Sequence, residues 1–396
     1  MPILNAVAFE RGDWAAQFDF GKAWPCDAPV LVEMLHSVSG RILRDKACRA
    51  FPDLATFGYF CRAANTKRAL EGLTDRARRF GWGTVVHIAP ANIPINFAFS
   101  LVMGLLAGNS GIIRLPSRIF PQTELLVDIF DDILARPEFQ DIGKGIAFVQ
   151  TEHDSAQLKQ AIARAQGLIV WGGDATIERF RAYEKAPRCA EVYFPNRVSS
   201  ALLEARQYLD LDATAQTDLA RAFYNDSFLV DQNACSSPGI MFWLGDQEVV
   251  QRAKSVFWQQ LATLLRQEYE IDPVAKIDKV LDVMAINMAA GDPVSITRDA
   301  SEAWQVHGYA QGDLPLRFGL FIEVELSSLT DLAGYLRPNE QTLTTFGVAP
   351  EEVYANLKTD GCHVDRIVPV GQALDIGLLW DGKDMLSTLS RRVQVG

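Results

Sequence analysis

No long apolar run, no surplus of positive charge and no paired cysteines occur in this chain, and each absence removes a class of function. Its 396 residues hold 38 Lys and Arg against 49 Asp and Glu, a net charge of −11. Proteins that grip phosphate backbones are ordinarily basic, so no nucleic acid partner is expected. A small basic pocket for an anionic cofactor is still compatible with an acidic whole. The six cysteines (Cys26, Cys48, Cys61, Cys189, Cys235 and Cys362) are scattered, with no CxxC pair and no Cys/His cluster at metal-ligand spacing. Such usage reads as reduced, intracellular and cytoplasmic, with no metal site. The opening MPILNAVAFERGDW has no basic stretch followed by an apolar core, so no secretory leader is read there. The most apolar stretch, IPINFAFSLVMGLLA (93–107), is shorter than the roughly 18–20 residues of a membrane span. It also contains Pro94, Asn96 and Ser100, and is expected instead as a buried helix between a sheet and a second domain. Low-complexity tracts and repeats are absent, as is a GxGxxG after any strand-like run.

What is present is an ordinary globular balance, 48% hydrophobic and 22% charged. The length exceeds what one core usually serves, so two domains are expected. Residues 1–75 read as irregular structure with helices at 28–43 and 54–73, without chemistry. From Gly81 β-rich runs alternate with helical ones. The runs are GTVVHIA (83–89), GIIRL (111–115), GIAFVQ (145–150), GLIVWGG (167–173) and EVYF (191–194). The helices between them cover about 94–107, 121–135, 154–165 and 174–184, the second opened by Pro121 and the last capped by Asp174. This alternation builds a parallel sheet covered on both faces, with ligands beyond the carboxyl ends of its strands. A second series starts at Ser199: SALLE, a helix at about 212–228, IMFWL (240–244), a helix at about 247–269 and FGLFIEVE (318–325). The expected fold class is α/β. RRVQV (391–395) reads as a closing strand suited to pairing with another subunit.

Four segments carry side chains suited to chemistry. Cys235, in DQNACSSPG, follows a long helix and stands among small residues ahead of Pro238. A loop cysteine is accessible, and its thiolate accepts acyl groups readily; a free cysteine is also commonly a small buried hydrophobe. Asn92, in HIAPANIPINF, lies between a strand and a helix, where its amide either donates to a developing oxyanion or caps the helix. In IIRLPSR, Arg114, Ser117 and Arg118 lie at the carboxyl edge of the next strand, where a guanidinium pairs with a ribose phosphate or is simply solvated. In VWGGDATIERF a strand runs into Gly172 and Gly173, then Asp174 and a helix. Glycines let the backbone approach a phosphate, and the helix start offers N–H groups and a positive dipole end; many strand-to-helix turns share such a pair. The histidines (His36, His87, His153, His307 and His363) form no Ser/His/Asp or Cys/His pattern, and only His363, in DGCHVDRIVP, is considered for the site.

Taken in order, these segments resemble the aldehyde dehydrogenase superfamily, and within it the LuxC-type fatty acyl-CoA reductases of bacterial bioluminescence. The matching runs are PANIP with LAGNSGIIRLPS, IVWGGDATI, DQNACSSP and DRIVPVGQALDIGLLWDG, across about residues 80–385. The resemblance implies an aldehyde dehydrogenase-like fold of two Rossmann-like parallel-sheet domains with a small oligomerisation element. Residues 1–198 would be an N-terminal segment plus the nicotinamide cofactor domain, 199–370 the catalytic domain, and 371–396 a C-terminal return with the oligomerisation strand. Cys235 would be the nucleophile and Asn92 the oxyanion donor. Gly172, Gly173 and Asp174 would form the pyrophosphate turn, and Arg114, Ser117 and Arg118 the adenosine ribose site. Superfamily members often carry Lys and Glu at that ribose; Arg114 and Ser117 align there. A guanidinium without the carboxylate tolerates a 2′-phosphate, which favours NADPH over NADH.

Two positions depart from the superfamily pattern. The general-base Glu of hydrolytic aldehyde dehydrogenases falls at Tyr193, with Glu191 two residues earlier. The Glu that orders the nicotinamide ribose falls near Leu316. The first departure has a chemical sense: that Glu activates the water that hydrolyses an acyl-enzyme, which an enzyme running from thioester to aldehyde must avoid. The resemblance therefore implies an NAD(P)H-dependent reductase that turns a fatty acyl-CoA or acyl-carrier thioester into an aldehyde through an acyl-cysteine. Its rivals are a hydrolytic aldehyde dehydrogenase, a cysteine acyltransferase or thioesterase, and a non-catalytic acyl-holding subunit. An acyl-activating synthetase and further copies of the chain are the implied protein partners.

Overall fold

The computed structural model describes residues 15, 18–26, 28–290, 294–298, 302–308 and 316–396. Contacts divide the chain into two compact units, Met1–Asn196 with Ile376–Gly396, and Arg197–Asp375.

The first unit begins its strands with β1 (Arg79–Gly81), β2 (Thr84–Ile88), β3 (Ser110–Leu115), β4 (Ile146–Gln150), β5 (Gly167–Trp171) and β6 (Ala190–Phe194). Five of them make one parallel sheet in the order β4-β3-β2-β5-β6. β2, β3 and β5 are buried along their whole length, as apolar runs must be in a parallel sheet covered on both faces. From β2 the chain steps outward one way through β3 and β4, then returns to place β5 and β6 on the other side. The carboxyl ends of β2 and β5 therefore flank the switch point where such sheets hold ligands.

One face of this sheet packs on the helices Asn96–Leu106 and Pro121–Leu134 and on two N-terminal helices, Pro29–Arg44 and Pro52–Phe60. Every residue of Asn96–Leu106 is buried. Its cover is the N-terminal segment of the same unit: Phe99 meets Phe57 and Phe60 edge-on at 4.9 and 5.2 Å. That gives the chemically silent helices Pro29–Arg44 and Pro52–Phe60 a packing role. The helix expected at 54–73 is two, Pro52–Phe60 and Ala63–Glu71. The opposite face carries the helices Ala156–Arg164 and Asp174–Arg181 through Leu158, Ala161, Ile162, Ile177 and Phe180.

The second unit holds β7 (Val198–Glu204), β8 (Ile240–Leu244), β9 (Ser295–Arg298), β10 (Trp304–His307), β11 (Leu320–Leu326), β12 (Glu340–Phe346) and β13 (Arg366–Pro369). The order is β13-β12-β7-β8-β11-β10-β9, parallel throughout except for β9, which runs antiparallel to β10. Helices Ala213–Ser227 and Gln247–Glu268 cover one face with Phe223 and Phe257. Glu323, buried on β11, ties the second of these helices down. It accepts the indole N–H of Trp243 (3.0 Å) and of Trp258 (2.8 Å), and pairs with Lys254 (3.0 Å) and His307 (3.2 Å). Burial by itself pushes this carboxyl up, but the His307 hydrogen bond, the Lys254 charge and the Trp258 N–H outweigh it and hold it below the usual range.

The helix Pro273–Ala289 is mixed in polarity: Ala275, Val283 and Ile286 are buried beside two charged residues. Lys279 and Asp282 are buried, one on Glu302 and the other on Arg317. Val274, Ile277, Leu281, Met284 and Met288 are exposed.

Residues 376–396 return to the first unit as β14 (Leu379–Trp380), β15 (Lys383–Asp384) and β16 (Ser390–Arg392). β16 pairs antiparallel with β1, and the buried Asn109 amide donates to Leu389 O (2.9 Å) while accepting from Trp82 N (2.6 Å). RRVQV thus enters the structure paired within its own chain, and Val393 and Val395 beyond the strand are exposed. Among the described residues no helix is long and apolar enough to cross a membrane.

Candidate active site

Cys235 lies in the loop that joins the helix Ala213–Ser227 to β8, and it is half-buried. The loop is held in a form that an unrestrained chain would rarely adopt. Asp231 and Gln232 both take left-handed backbone angles (φ 51° and 57°), a conformation that costs non-glycine residues about 1 kcal/mol or more. The compensation is the Gln232 side chain, which is buried. Its amide donates to Pro238 O (2.9 Å) and Leu320 O (3.1 Å), and its oxygen accepts from Gly319 N (2.9 Å) and Leu320 N (3.1 Å). All four hydrogen-bonding positions of the amide are filled, so the loop is fastened to the start of β11. Ser237 closes the turn onto Ala234 O (2.9 Å), and its hydroxyl donates to Asp226 O (2.7 Å).

Two residues then fix the cysteine itself. Ser199 on β7 donates to Cys235 O (2.7 Å) and accepts from Thr342 N on β12 (3.1 Å). Gln341, buried on β12, donates its Nε2 to Cys235 Sγ at 3.1 Å. A neutral N–H donor at a sulfur favours its anionic form, the state that attacks acyl carbons. Position in the sequence does not suggest Gln341: it stands 106 residues beyond the cysteine, and only the β7–β12 pairing brings it near. The aligned position Leu316 packs close to this loop; a Cβ on Gly239 would come within 2.7 Å of the Leu316 Cβ.

Asp226, at the end of the helix before the loop, is buried and accepts from Gly371 N (2.6 Å) and Ala373 N (2.8 Å). Burial pushes its carboxyl up to about 6, the two backbone N–H groups pulling against it. His363 is exposed.

In the first unit Asn92 is exposed in the bend after β2. The helix that follows starts at Asn96 with Ile95 as its N-cap, so Asn92 does not occupy the capping position. Gly173, rather than Asp174, is the N-cap of the helix Asp174–Arg181. Asp174 is its first residue, and its carboxylate accepts Asn196 N (3.2 Å). A Cβ on Gly173 would lie 3.2 Å from Asn196 Oδ1, and one on Gly172 3.1 Å from Thr176 Cγ2. A side chain at either glycine would thus crowd the turn, and their absence leaves room for a phosphate to approach backbone N–H groups at a helix start. Arg114 is buried near the end of β3, its Nε donating to Thr151 O (2.9 Å). Ser117 and Arg118 are exposed in the following loop, the latter over the Phe120 ring. Tyr193 donates its hydroxyl to Glu191. Burial, then that hydrogen bond and charge, push the phenol up. The buried His87 Nδ1 shares a hydrogen bond with the Ser100 hydroxyl (2.8 Å), which accepts from Trp171 Nε1 (2.9 Å). Burial pushes this imidazole down to about 3, so it stays neutral as a core residue. Among the described residues no group of three or more His, Cys, Asp or Glu is placed to hold a metal ion.

Comparison with known proteins identifies the family and the fold. A family model described as acyl-CoA reductase (LuxC) matches residues 74–392. Long-chain acyl-protein thioester reductase 2 of Photobacterium leiognathi is 28% identical over 194 residues, 48% of this chain and 37% of that protein. Its counterpart in Aliivibrio fischeri is 28% identical over 166 residues, 41% of this chain and 32% of that protein. The matched part is thus about a third of the length of these curated relatives. Solved structures of aldehyde dehydrogenases share the fold. The NAD-dependent aldehyde dehydrogenase of Sinorhizobium meliloti superposes with a TM-score of 0.66 at 11% identity, over 93% of this chain and 82% of that one. Lactaldehyde dehydrogenase of Escherichia coli gives 0.62 at 13%, over 98% and 88%. The fold is aldehyde dehydrogenase-like, with the expected parallel-strand sheets in both units.

Proposed function

Because this chain belongs to the acyl-CoA reductase (LuxC) family, we propose that it reduces a long-chain acyl thioester to an aldehyde through an acyl-Cys235 intermediate, with NADPH as the favoured reductant. The observation that carries the reading is the Cys235 sulfur, half-buried in a hydrogen-bonded loop with the Gln341 amide donating to it at 3.1 Å. Cys235 Sγ attacks the thioester carbonyl, and the tetrahedral oxyanion takes a hydrogen bond from the Asn92 amide and the Cys235 backbone N–H. The carbonyl re-forms, the thiol carrier leaves and the acyl group stays on Sγ. A nicotinamide cofactor, when bound, supplies the hydride that reduces this acyl carbon. The resulting thiohemiacetal breaks its C–S bond, releasing the aldehyde and returning the Cys235 thiolate, which Gln341 again stabilises. Tyr193, donating to Glu191, stands where a hydrolytic enzyme keeps its water-activating carboxylate, so the acyl-cysteine is spared from water. The Gly172-Gly173 turn is the proposed seat of the cofactor pyrophosphate, and Arg114 with Ser117 and Arg118 that of the adenosine ribose. An acyl-activating synthetase that hands over the acyl group, and self-association, complete the reading.

The test is oxidation of NADPH and NADH, followed by absorbance, with acyl-CoAs and acyl-carrier thioesters of graded chain length. Wild type and Cys235→Ala are compared. Thioester-dependent oxidation that vanishes in the variant, with a mass shift of one acyl group on Cys235 when the reductant is withheld, supports the reading. Carrier release without nicotinamide oxidation would replace it with acyl transfer or thioester hydrolysis.

A further inference from the structure

Strand β3, the loop after β4 and the helix Asp174–Arg181 each bring one basic side chain, Arg114, His153 and Arg179, into electrostatic reach of the others. The ends of β3 and β4 lie side by side, Arg114 opposite Val149 and Leu115 opposite Gln150. Arg114 is buried and turned toward the loop after β4, where its Nε donates to Thr151 O (2.9 Å). His153 stands in that loop. Its Nδ1 is 3.3 Å from Arg179 Nη1 on the helix Asp174–Arg181. The ring is braced edge-on by Phe180 at 5.4 Å, and its carbonyl accepts the Tyr183 hydroxyl (3.0 Å). Since Arg179 donates to Nδ1, the imidazole carries its proton on Nε2 and keeps a donor of its own.

The cluster is built to receive negative charge. Partial burial, then the charges of Arg114 and Arg179, hold the His153 imidazole below its ordinary range, while Glu152 and Asp154 act the other way. Both of those carboxylates are exposed to solvent, where their influence is screened. Arg179 is five residues past Asp174, about 8 Å along the helix axis from the glycine turn. That separation suits a dinucleotide whose pyrophosphate sits at the turn and whose adenosine ribose lies further along.

We propose that Arg179 and His153, together with Arg114, form the subsite for the 2′-phosphate of the cofactor's adenosine ribose and so decide the selection of NADPH. The inference rests on the nicotinamide-dependent reading above, and it moves the discriminating contacts from the β3 loop alone to the β4 loop and the helix after β5.

Binding is the direct test, since it needs no turnover. Adenosine 2′,5′-bisphosphate, adenosine 3′,5′-bisphosphate and 5′-AMP are titrated calorimetrically into the full chain as wild type, Arg179→Ala, Arg179→Lys and His153→Ala. Arg179 is exposed, so its substitution leaves the core alone, and thermal unfolding of each variant checks that. Wild type is expected to favour the 2′,5′-bisphosphate over 5′-AMP at least tenfold. Arg179→Ala loses about 10- to 100-fold for the 2′,5′-bisphosphate, the scale of a charged hydrogen bond, with 5′-AMP affinity held within about twofold. Arg179→Lys recovers part of the loss, and His153→Ala falls in the same direction. Equal binding of the 2′,5′-bisphosphate and 5′-AMP overturns the proposal while leaving an NADH-driven reductase intact. A preference for the 3′,5′-bisphosphate also overturns it and assigns the cluster to the adenosine end of coenzyme A. An Arg179→Ala loss shared equally by all three nucleotides overturns it as mere long-range attraction. No binding of any nucleotide counts against the nicotinamide reading itself.

Discussion

Replacing Gln341 with Leu removes the amide that donates to Cys235 Sγ at 3.1 Å and keeps a side chain of similar size in a buried position. A hydrogen bond to a charged group contributes about 1.5–3 kcal/mol, and each 1.36 kcal/mol between two protonation states moves a titration by about one pH unit. The midpoint for thiolate formation at Cys235 should therefore rise by about one to two units. The assay is the pH dependence of iodoacetamide alkylation, followed at the Cys235 peptide by mass spectrometry. Cys189 and Cys362, both half-buried, report on each sample as internal references and should keep their wild-type profiles. Turnover at neutral pH should fall about tenfold or more, and recover in part as the pH is raised. An unmoved Cys235 midpoint, in a variant that unfolds at the wild-type temperature, would refute the role given to Gln341.

Three further outcomes test the scaffold. Gln232→Leu strands four backbone groups that the amide now satisfies and should cost about 3–5 kcal/mol in urea unfolding; a loss under about 1 kcal/mol would show that the loop is held by something else. Asp226 has a raised carboxyl, up to about 6, so its folded form favours the proton and its contribution to stability declines as pH rises from about 4 to 6. Asp226→Asn should therefore gain on wild type by about 1 kcal/mol between pH 5 and pH 7.5, read from denaturant curves at the two pH values. Lys254→Met leaves the Glu323 carboxylate buried without its cation and should cost about 3–5 kcal/mol at neutral pH. Because Glu323 is held below its ordinary range, the stability it supplies is present at neutral pH and lost on acidification, so this deficit should shrink as pH falls; a pH-independent deficit would contradict the ion pair as its source.

The strands and helices of residues 81–269 were legible because their signals are strong and local: apolar runs of strand length, Pro121 at a helix start and glycine pairs at turns. The stretch between 270 and 317 was not. The helix Pro273–Ala289 turns Lys279 and Asp282 inward and Val274, Ile277 and Leu281 outward, so a pattern read as apolar-in is misleading there. β10 is only four residues long, and its neighbour β9 is mostly exposed. At the site, Cys235 was legible from small residues and Pro238 around it. Gln341, Ser199 and Gln232 were not, because each acts through a partner fixed by sheet pairing or by a loop closing on a distant strand. Asp174 was read as the helix cap, whereas the chain turns one residue earlier, at Gly173. Arg179 and His153 gave no signal either: one lies within a helix and the other in the loop after β4, 26 residues apart, and only the folded unit brings their side chains together.

The return of residues 376–396 to the first unit has a consequence for synthesis. The second unit, Arg197–Asp375, is continuous in sequence, whereas the first is written in two instalments on either side of it. As the chain leaves the ribosome, β1 and the buried Asn109 must wait for Leu389 and β16 until the entire second unit has been translated. At roughly 5–20 residues per second, the earlier-made part spends on the order of ten seconds or more unfinished, with the surface meant for its last strand uncovered. The part translated first is therefore the part completed last.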